Sequence, residues 1–285
     1  MLLGVTVYQQ GQATETTQAG YRIQLFRPAK PGDVYRLVAT ETKKQLMVIS
    51  RDGKIQSTKS ENLVTKFEGD VTILKVDEKG NTTSKMVVVE SFVDGKNNPI
   101  LKKGAVIIAD TIDGKTVYRL KEGQISQQAR ERLSNIIRTK SKNKRNDDET
   151  FGSKSLRRIG EEWPVQKAAI ASELKVDPQF VTGTVQLGKR HKIRNVDCLK
   201  INAQVKIKSF PEIQKFTQRG YRVVSPVIVV KLSGDFPVDP ETGPLTRTLF
   251  MSTQTTLIGD KPAVKGIELK VSSEFSASHQ RFYKN

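Results

Sequence analysis

Residues 86–120, MVVVESFVDGKNNPILKKGAVIIADTIDGKTVYRL, decide the fold class. Residues 86–93 are rich in β-branched and aromatic side chains. Asp94-Gly95 interrupts them, 105–109 returns, and Asp113-Gly114 leads directly into 116–120. An Asp-Gly pair suits a type I′ turn, in which both central residues need positive φ and the twist matches antiparallel strands. The stretch therefore predicts an antiparallel meander.

The same reading extends upstream. Residues 21–25 alternate, Lys30-Pro31-Gly32-Asp33 punctuates the chain, and 34–40 reads as a strand. Residues 63–76 read as a long strand with Gly69-Asp70 inside it, which predicts a bulge or bend there. Glu78-Lys79-Gly80-Asn81 is a hairpin turn leading into residue 86.

Downstream the period changes. Ser126 is an N-cap residue, and Ala129, Leu133, Ile136 and Ile137 recur at helical spacing. That spacing predicts a helix over 126–138 whose single apolar stripe covers a sheet. From 138 to 158 no apolar period survives, and Phe151 is the one aromatic residue, so a mobile basic connector is expected. Pro164 suits the first position of a helix running to about residue 175. Strands are expected again at 181–193 and 196–207, flanking Arg194-Asn195, with Leu199, Ile201, Ala203, Val205 and Ile207 on one face. Residues 227–238 and 245–258 flank the turn Asp239-Pro240-Glu241-Thr242-Gly243, and 265–275 supplies the last strand.

The expected protein is mainly β, with antiparallel meander sheets and two or three short helices. A leader spans 1–20, an N-terminal half 21–124, a helix with its connector 125–160, and a C-terminal half 161–285. The halves are either two domains or parts of one strongly curved sheet, as in an incomplete barrel. Gly32-Asp33-Val34-Tyr35 and Gly160-Glu161-Glu162-Trp163 share a glycine, acid, spacer, aromatic pattern that duplication or chance explains equally well.

A chain of 285 residues buries roughly 75% of its unfolded surface, enough for a large core. Its 48 Lys and Arg against 30 Asp and Glu give +18, which attracts polyanions without specificity. Cys198 is the single cysteine, so no internal disulfide forms, and His191 and His279 lie too far apart in sequence for a recognisable zinc motif. No metal site or cofactor is expected. No run approaches the ~20 apolar residues of a membrane span. The short apolar run 2–7, followed by Gly11-Gln12-Ala13, reads as the tail of a secretory signal cleaved near Ala13, or else as an ordinary first strand.

Motifs for chemistry are few. Ser141-Lys142-Asn143-Lys144 and Ser172-Glu173-Leu174-Lys175 both match Ser-x-x-Lys, but a partner Lys-Thr-Gly strand is missing. Gly114-Lys115-Thr116 lacks the upstream glycine of a phosphate loop. Asp235, Asp239 and Glu241 cluster at one turn, and Asp147, Asp148 and Glu149 fit no calcium loop. Cys198 reads as an inert thiol, and His191 among Lys189, Arg190 and Lys192 as part of a solvated basic face. No catalytic residue is assigned.

At Asp147-Asp148-Glu149-Thr150-Phe151-Gly152 and Arg158-Ile159-Gly160-Glu161-Glu162-Trp163-Pro164-Val165, the chain resembles a broad group of uncharacterised secreted bacterial proteins. In these a Val/Ile-Gly-acidic-x-Trp element precedes a short helix. A Gly-Thr-Val strand, here Gly183-Thr184-Val185, a Cys-bearing strand, here Asp197-Cys198-Leu199, and the Asp239 to Gly243 turn extend the likeness over 21–260. The resemblance implies an extracytoplasmic β-rich fold and no known activity. Unlike the group, this chain shows no full signal sequence.

These readings lead to a noncatalytic binding or envelope-associated module outside the cytoplasm. Its expected ligand is apolar or lipid-like, held between sheet and helix at Ala129, Leu133, Ile136 and Ile137. The rival is nonspecific polyanion contact through Arg138, Lys140, Lys142, Lys144, Arg145, Lys154, Arg157 and Arg158. A hydrolase of unassigned type is the third reading.

Overall fold

The structure, a computed structural model, describes residues 20–139, 146–209 and 213–284. Strand accounts for 57% and helix for 13%, so the chain is mainly β. The N-terminal half supplies β1 (Val34–Arg51), β2 (Lys54–Val76), β3 (Thr82–Asp94), β4 (Val106–Ile112) and β5 (Lys115–Leu120). Helices α1 (Gln127–Ile136) and α2 (Asp147–Phe151) follow, then β6 (Glu162–Pro164) and α3 (Lys167–Leu174). The rest is β7 (Val181–Ile193), β8 (Val196–Ile207), α4 (Ile213–Gln218), β9 (Tyr221–Pro237), β10 (Thr246–Gly259) and β11 (Ile267–Tyr283).

All eleven strands lie in one antiparallel sheet, ordered β5-β4-β3-β2-β1-β11-β10-β9-β8-β7-β6, that is not closed into a barrel. Each half is a meander in which sequence neighbours pair. The halves fuse where β1 pairs with β11, from Tyr35↔Tyr283 to Arg51↔Ile267.

Turn chemistry sets much of this register. Asp113-Gly114, Arg194-Asn195 and Asp52-Gly53 all have positive φ at both central positions, as a type I′ turn requires. Asp94-Gly95 behaves differently and opens a longer loop. There the Asp94 carboxylate accepts hydrogen bonds from Lys96 N (2.8 Å) and Asn98 N (2.9 Å). Such Asx contacts stand in for the backbone turn. The bulge expected at Gly69 is present, with the β2–β3 register shifting between Glu68 and Gly69. The extra residue on β3 brings both Val89 and Phe92 to the same buried face.

One face of the sheet carries the core. In the N-terminal half, Leu37, Phe67, Val71, Val87, Val89 and Ile107 pack beneath α1. Ser126 caps that helix by accepting from Ala129 N (3.1 Å), and Ala129, Leu133, Ile136 and Ile137 are all buried in this cluster. In the C-terminal half, Trp163, Leu187, Ile201, Val205 and Leu232 pack with Ile170 and Ala171 of α3. The cross-strand register places both clusters on the same side of the sheet.

Several sequence expectations are corrected. Residues 21–25 form no strand: Tyr21 makes a single bridge to Arg157, while Ile23 and Leu25 join the C-terminal core. Pro164 lies on β6, and α3 starts at Lys167. Residues 146–158 are built into the fold rather than forming a connector. Asn146 closes a capping box onto Glu149, Asp148 accepts from Leu25 N (2.5 Å) and Phe26 N (3.3 Å), and Trp163 Nε1 donates to the Phe151 carbonyl (3.0 Å). Asp147 bridges Arg247 of β10 at 3.0 Å, tying α2 to the sheet. The signal-like run and residues 140–145 lie outside the described residues. The two glycine–aromatic patterns are not equivalent, since Tyr35 sits on the central β1 and Trp163 on the edge strand β6.

Leu133 is fully buried at the centre of the α1 stripe. Leu133→Ala should cost about 2–5 kcal/mol, read as a lower urea midpoint with an unchanged m value.

Candidate functional site

With both helices of the core on one side, the other face of the sheet is open. Alternation along each strand sends polar side chains there. Thr40 of β1 pairs with Ser278 of β11, and Ser278 with Thr248 of β10. Thr248 pairs with Ser233, Ser233 with Asn202, Asn202 with Gln186 and Gln186 with Glu162. One transverse row thus crosses seven adjacent strands and contains only hydroxyl, amide and carboxylate side chains. The next row repeats the pattern with Thr42, Ser276, Phe250, Lys231, Gln204 and Thr184.

These two rows line a trough of about 600 Å³. A second groove of about 400 Å³ continues along the same face, past Lys44, Leu46, Ser252 and Gln254. Within the first row Ser233 Oγ donates to Asn202 Oδ1 (2.7 Å) and Gln186 Nε2 to Glu162 Oε1 (3.3 Å). Thr248 Oγ1 donates to the Ser233 carbonyl (3.3 Å). These bonds fix side-chain orientation across β6 to β10. Glu162 and Lys231 bring opposite charges, so the trough walls carry no net sign, and Phe250 is the one aromatic ring among them.

Two residues farther along the strands, the same face bears an ionic cluster. Asp235, with its side chain only 7% exposed, lies 3.2 Å from both His191 Nε2 and Lys200 Nζ. It also accepts from Thr246 Oγ1. One carboxylate thereby holds β7, β8 and β10 to β9. Its proton donors converge on it from three sides, and the other ring nitrogen of His191, Nδ1, lies 3.4 Å from the Lys189 carbonyl. Sequence reading placed His191 on a solvated basic face; the structure gives it a buried carboxylate partner instead. Pairing across β8 and β9, invisible in one sequence, makes that contact.

Cys198 is fully buried although neighbouring Leu199 is buried too. The β7–β8 register shift between Leu187 and Arg190 accommodates both. Burial, then the charges of Asp235 and Asp197, push its thiol up to about 11. The thiol is protonated at neutral pH, the opposite of an activated nucleophile.

The residues singled out from sequence lie elsewhere. Ala129, Leu133, Ile136 and Ile137 face the packed core on the side opposite the trough. Arg138 donates to Ser134 O and Asn135 Oδ1, both at 2.7 Å, closing the end of α1. Arg157 stacks 5.3 Å from the Trp163 ring and donates to Ser153 Oγ (2.8 Å). Lys154 and Arg158 are exposed, and Lys140, Lys142, Lys144 and Arg145 fall outside the described residues. Among the described residues no group of three or more His, Cys, Asp or Glu could hold a metal ion.

No protein-family model and no characterised protein matches the chain. Among solved structures, DynF from the dynemicin biosynthesis pathway of Micromonospora chersina aligns at 6% identity. It covers 96% of this chain and 92% of its own, with a TM-score of 0.14. OccK11 (OpdR) of Pseudomonas aeruginosa aligns at 8% identity, covering 92% and 100%, with a TM-score of 0.16. Scores this low carry no inference about fold or function.

Asp235→Ala removes the shared partner of His191 and Lys200, side chains about one-third exposed, so a loss of about 2 kcal/mol is expected. Differential scanning calorimetry reads it as a lower Tm. For Cys198 the folded pKa lies above the ordinary 9.0. Its contribution to stability is complete below that value and is lost as pH rises through about 11. Alkylation by iodoacetamide at pH 8 should be slow in the native protein and fast once it is unfolded.

Proposed function

We propose that the chain is a noncatalytic, extracytoplasmic binding module that holds a hydroxyl-rich ligand, a neutral glycan, in the polar trough. The observation that carries this reading is the transverse row from Thr40 to Glu162, seven polar side chains on seven adjacent strands. Neighbouring strands are about 4.8 Å apart, so the row offers donors and acceptors at regular intervals on the scale of a sugar unit. Hydroxyls and amides both donate and accept, as the hydroxyls of a glycan do. The trough volume falls in the usual range for ligand sites, roughly 300–1,000 Å³, and most of the side chains that line it end in a hydroxyl or an amide. Offsetting charges on Glu162 and Lys231 favour an uncharged ligand, and Phe250 offers a flat apolar surface to a sugar face.

An apolar ligand between sheet and α1 has weaker support, because the four helix residues expected to face it are buried among Phe67, Phe92 and Ile107. The extracytoplasmic placement rests on the apolar run 2–7 and the small residues near Ala13.

Affinity electrophoresis through gels containing neutral polysaccharides (xylan, mannan, mixed-linkage glucan) tests the ligand class. The wild type should be retarded by at least one of them. Thr248→Trp, which fills the trough from an exposed position, should weaken that binding more than tenfold while leaving the circular dichroism melt unchanged. Retardation indifferent to Thr248→Trp, or its absence across the panel, would overturn the reading.

A further inference from the structure

One end of the sheet gathers cations that the sequence scatters. Arg51 pairs with both Lys54 and Ile267, Ile258 pairs with Glu268, and Gly259 with Tyr221. The β1–β2 turn, the β10–β11 connection and the entry to β9 therefore share one end. They are tied together: Asp52 N donates to Gly266 O (2.9 Å), and Asp260 N and Lys261 N both donate to Gly220 O (2.9 and 3.3 Å). Gly220 and Gly266 adopt φ of 90° and 80°, a conformation that favours glycine. Arg51, Lys54, Arg219, Arg222, Lys261 and Lys265 all lie exposed on these segments, with Asp52 and Asp260 the acids among them. Arg222 bridges Asp260 at 3.2 Å, leaving the cations well in excess. Ile55, beside Lys54, is 70% exposed, the most exposed large apolar side chain among the described residues.

We propose that this end of the sheet docks on an anionic membrane surface, the cations meeting lipid phosphates while Ile55 enters the headgroup boundary. Cations alone would fit any polyanion, and the neighbouring apolar tip selects the lipid. A bilayer takes up an exposed aliphatic side chain beside basic residues, whereas a nucleic-acid backbone has no use for one. A single-strand reader would need exposed aromatic rings for base stacking, yet Tyr221, on one of these segments, is partly buried. The contact would be peripheral, since no helix among the described residues is long and apolar enough to cross a membrane.

Co-sedimentation with phosphatidylcholine vesicles, with and without 30% phosphatidylglycerol (roughly the anionic share of a charged leaflet), tests this directly. Binding should appear only with the anionic lipid and weaken with salt. Each cation contributes about fivefold, so Lys54→Gln/Lys261→Gln/Lys265→Gln should weaken binding on the order of a hundredfold. Ile55→Ser should weaken it about tenfold. Lys154→Gln/Arg158→Gln, exposed cations outside these segments, should change it little. The same variants are measured on a duplex oligonucleotide by fluorescence anisotropy. Duplex binding indifferent to Ile55→Ser, together with vesicle binding that is absent or equally indifferent, would overturn the proposal in favour of plain charge attraction. Equal binding to neutral and anionic vesicles would overturn it as well.

Discussion

The pairing of β1 with β11 is the constraint on which the remaining architecture depends. It joins the first long strand to the last, so neither meander has an open edge at its heart. Without it the molecule would be two smaller sheets, each exposing a long ladder of unpaired backbone groups and inviting aggregation. The pairing also sets the parity of every neighbouring strand. Leu37 and Ala39 fall on the core side, which commits Thr40 and Thr42 to the other, and β11 and β10 inherit the same division. A slip of one residue would exchange the faces.

Closing on the chain ends moves the edge problem outward, where the sequence answers it cheaply. One outer edge, β6, is three residues long and contains Pro164, which cannot donate to a further strand. The other, β5, is six residues with Lys115 and Arg119. Beyond Thr65, β2 has no partner on its β3 side, and there it carries Lys54, Lys59 and Glu61 with few apolar residues. Short, proline-bearing or charged edges allow an open eleven-stranded sheet to stay open.

Much of this was legible in the sequence, and what was not has a common physical cause. The strands at 181–193 and 196–207 match the observed β7 and β8, because Arg194-Asn195 marks the turn and one face alternates cleanly. The α1 stripe was equally plain, with Ala129 and Leu133 at helical spacing and Ser126 as its cap. The extension of β1 and β2 through 41–62 left a weaker trace. Those strands are solvated on much of both faces, so hydrophobic alternation, the main signal of a strand, is faint there. Asp52-Gly53, the turn chemistry that was decisive elsewhere, marks the hairpin. Residues 146–158 misled for another reason. Their burial comes from partners far along the chain, Leu25, Phe26, Trp163 and Arg247, and not from any local apolar period.

The trough belongs to a class of feature that a single sequence conceals. Ser, Thr, Asn and Gln on the open face of a strand look like ordinary solvated residues, and each of the seven strands contributes only one or two. Meaning appears only in the transverse direction, when register sets Thr40, Ser278, Thr248, Ser233, Asn202, Gln186 and Glu162 side by side. The cations concentrate through the same device at the turns. Arg51, Arg222 and Lys265 are separated by long stretches of chain, yet register and the bonds to Gly220 and Gly266 bring them to one end. These cations lie away from the trough, whose own Glu162 and Lys231 offset one another. Charge and neutral polarity occupy different parts of one sheet. A ligand that needs hydrogen bonds and a surface that needs cations can therefore be met without competing, since the fields of exposed charges fall off within about 10 Å at moderate ionic strength.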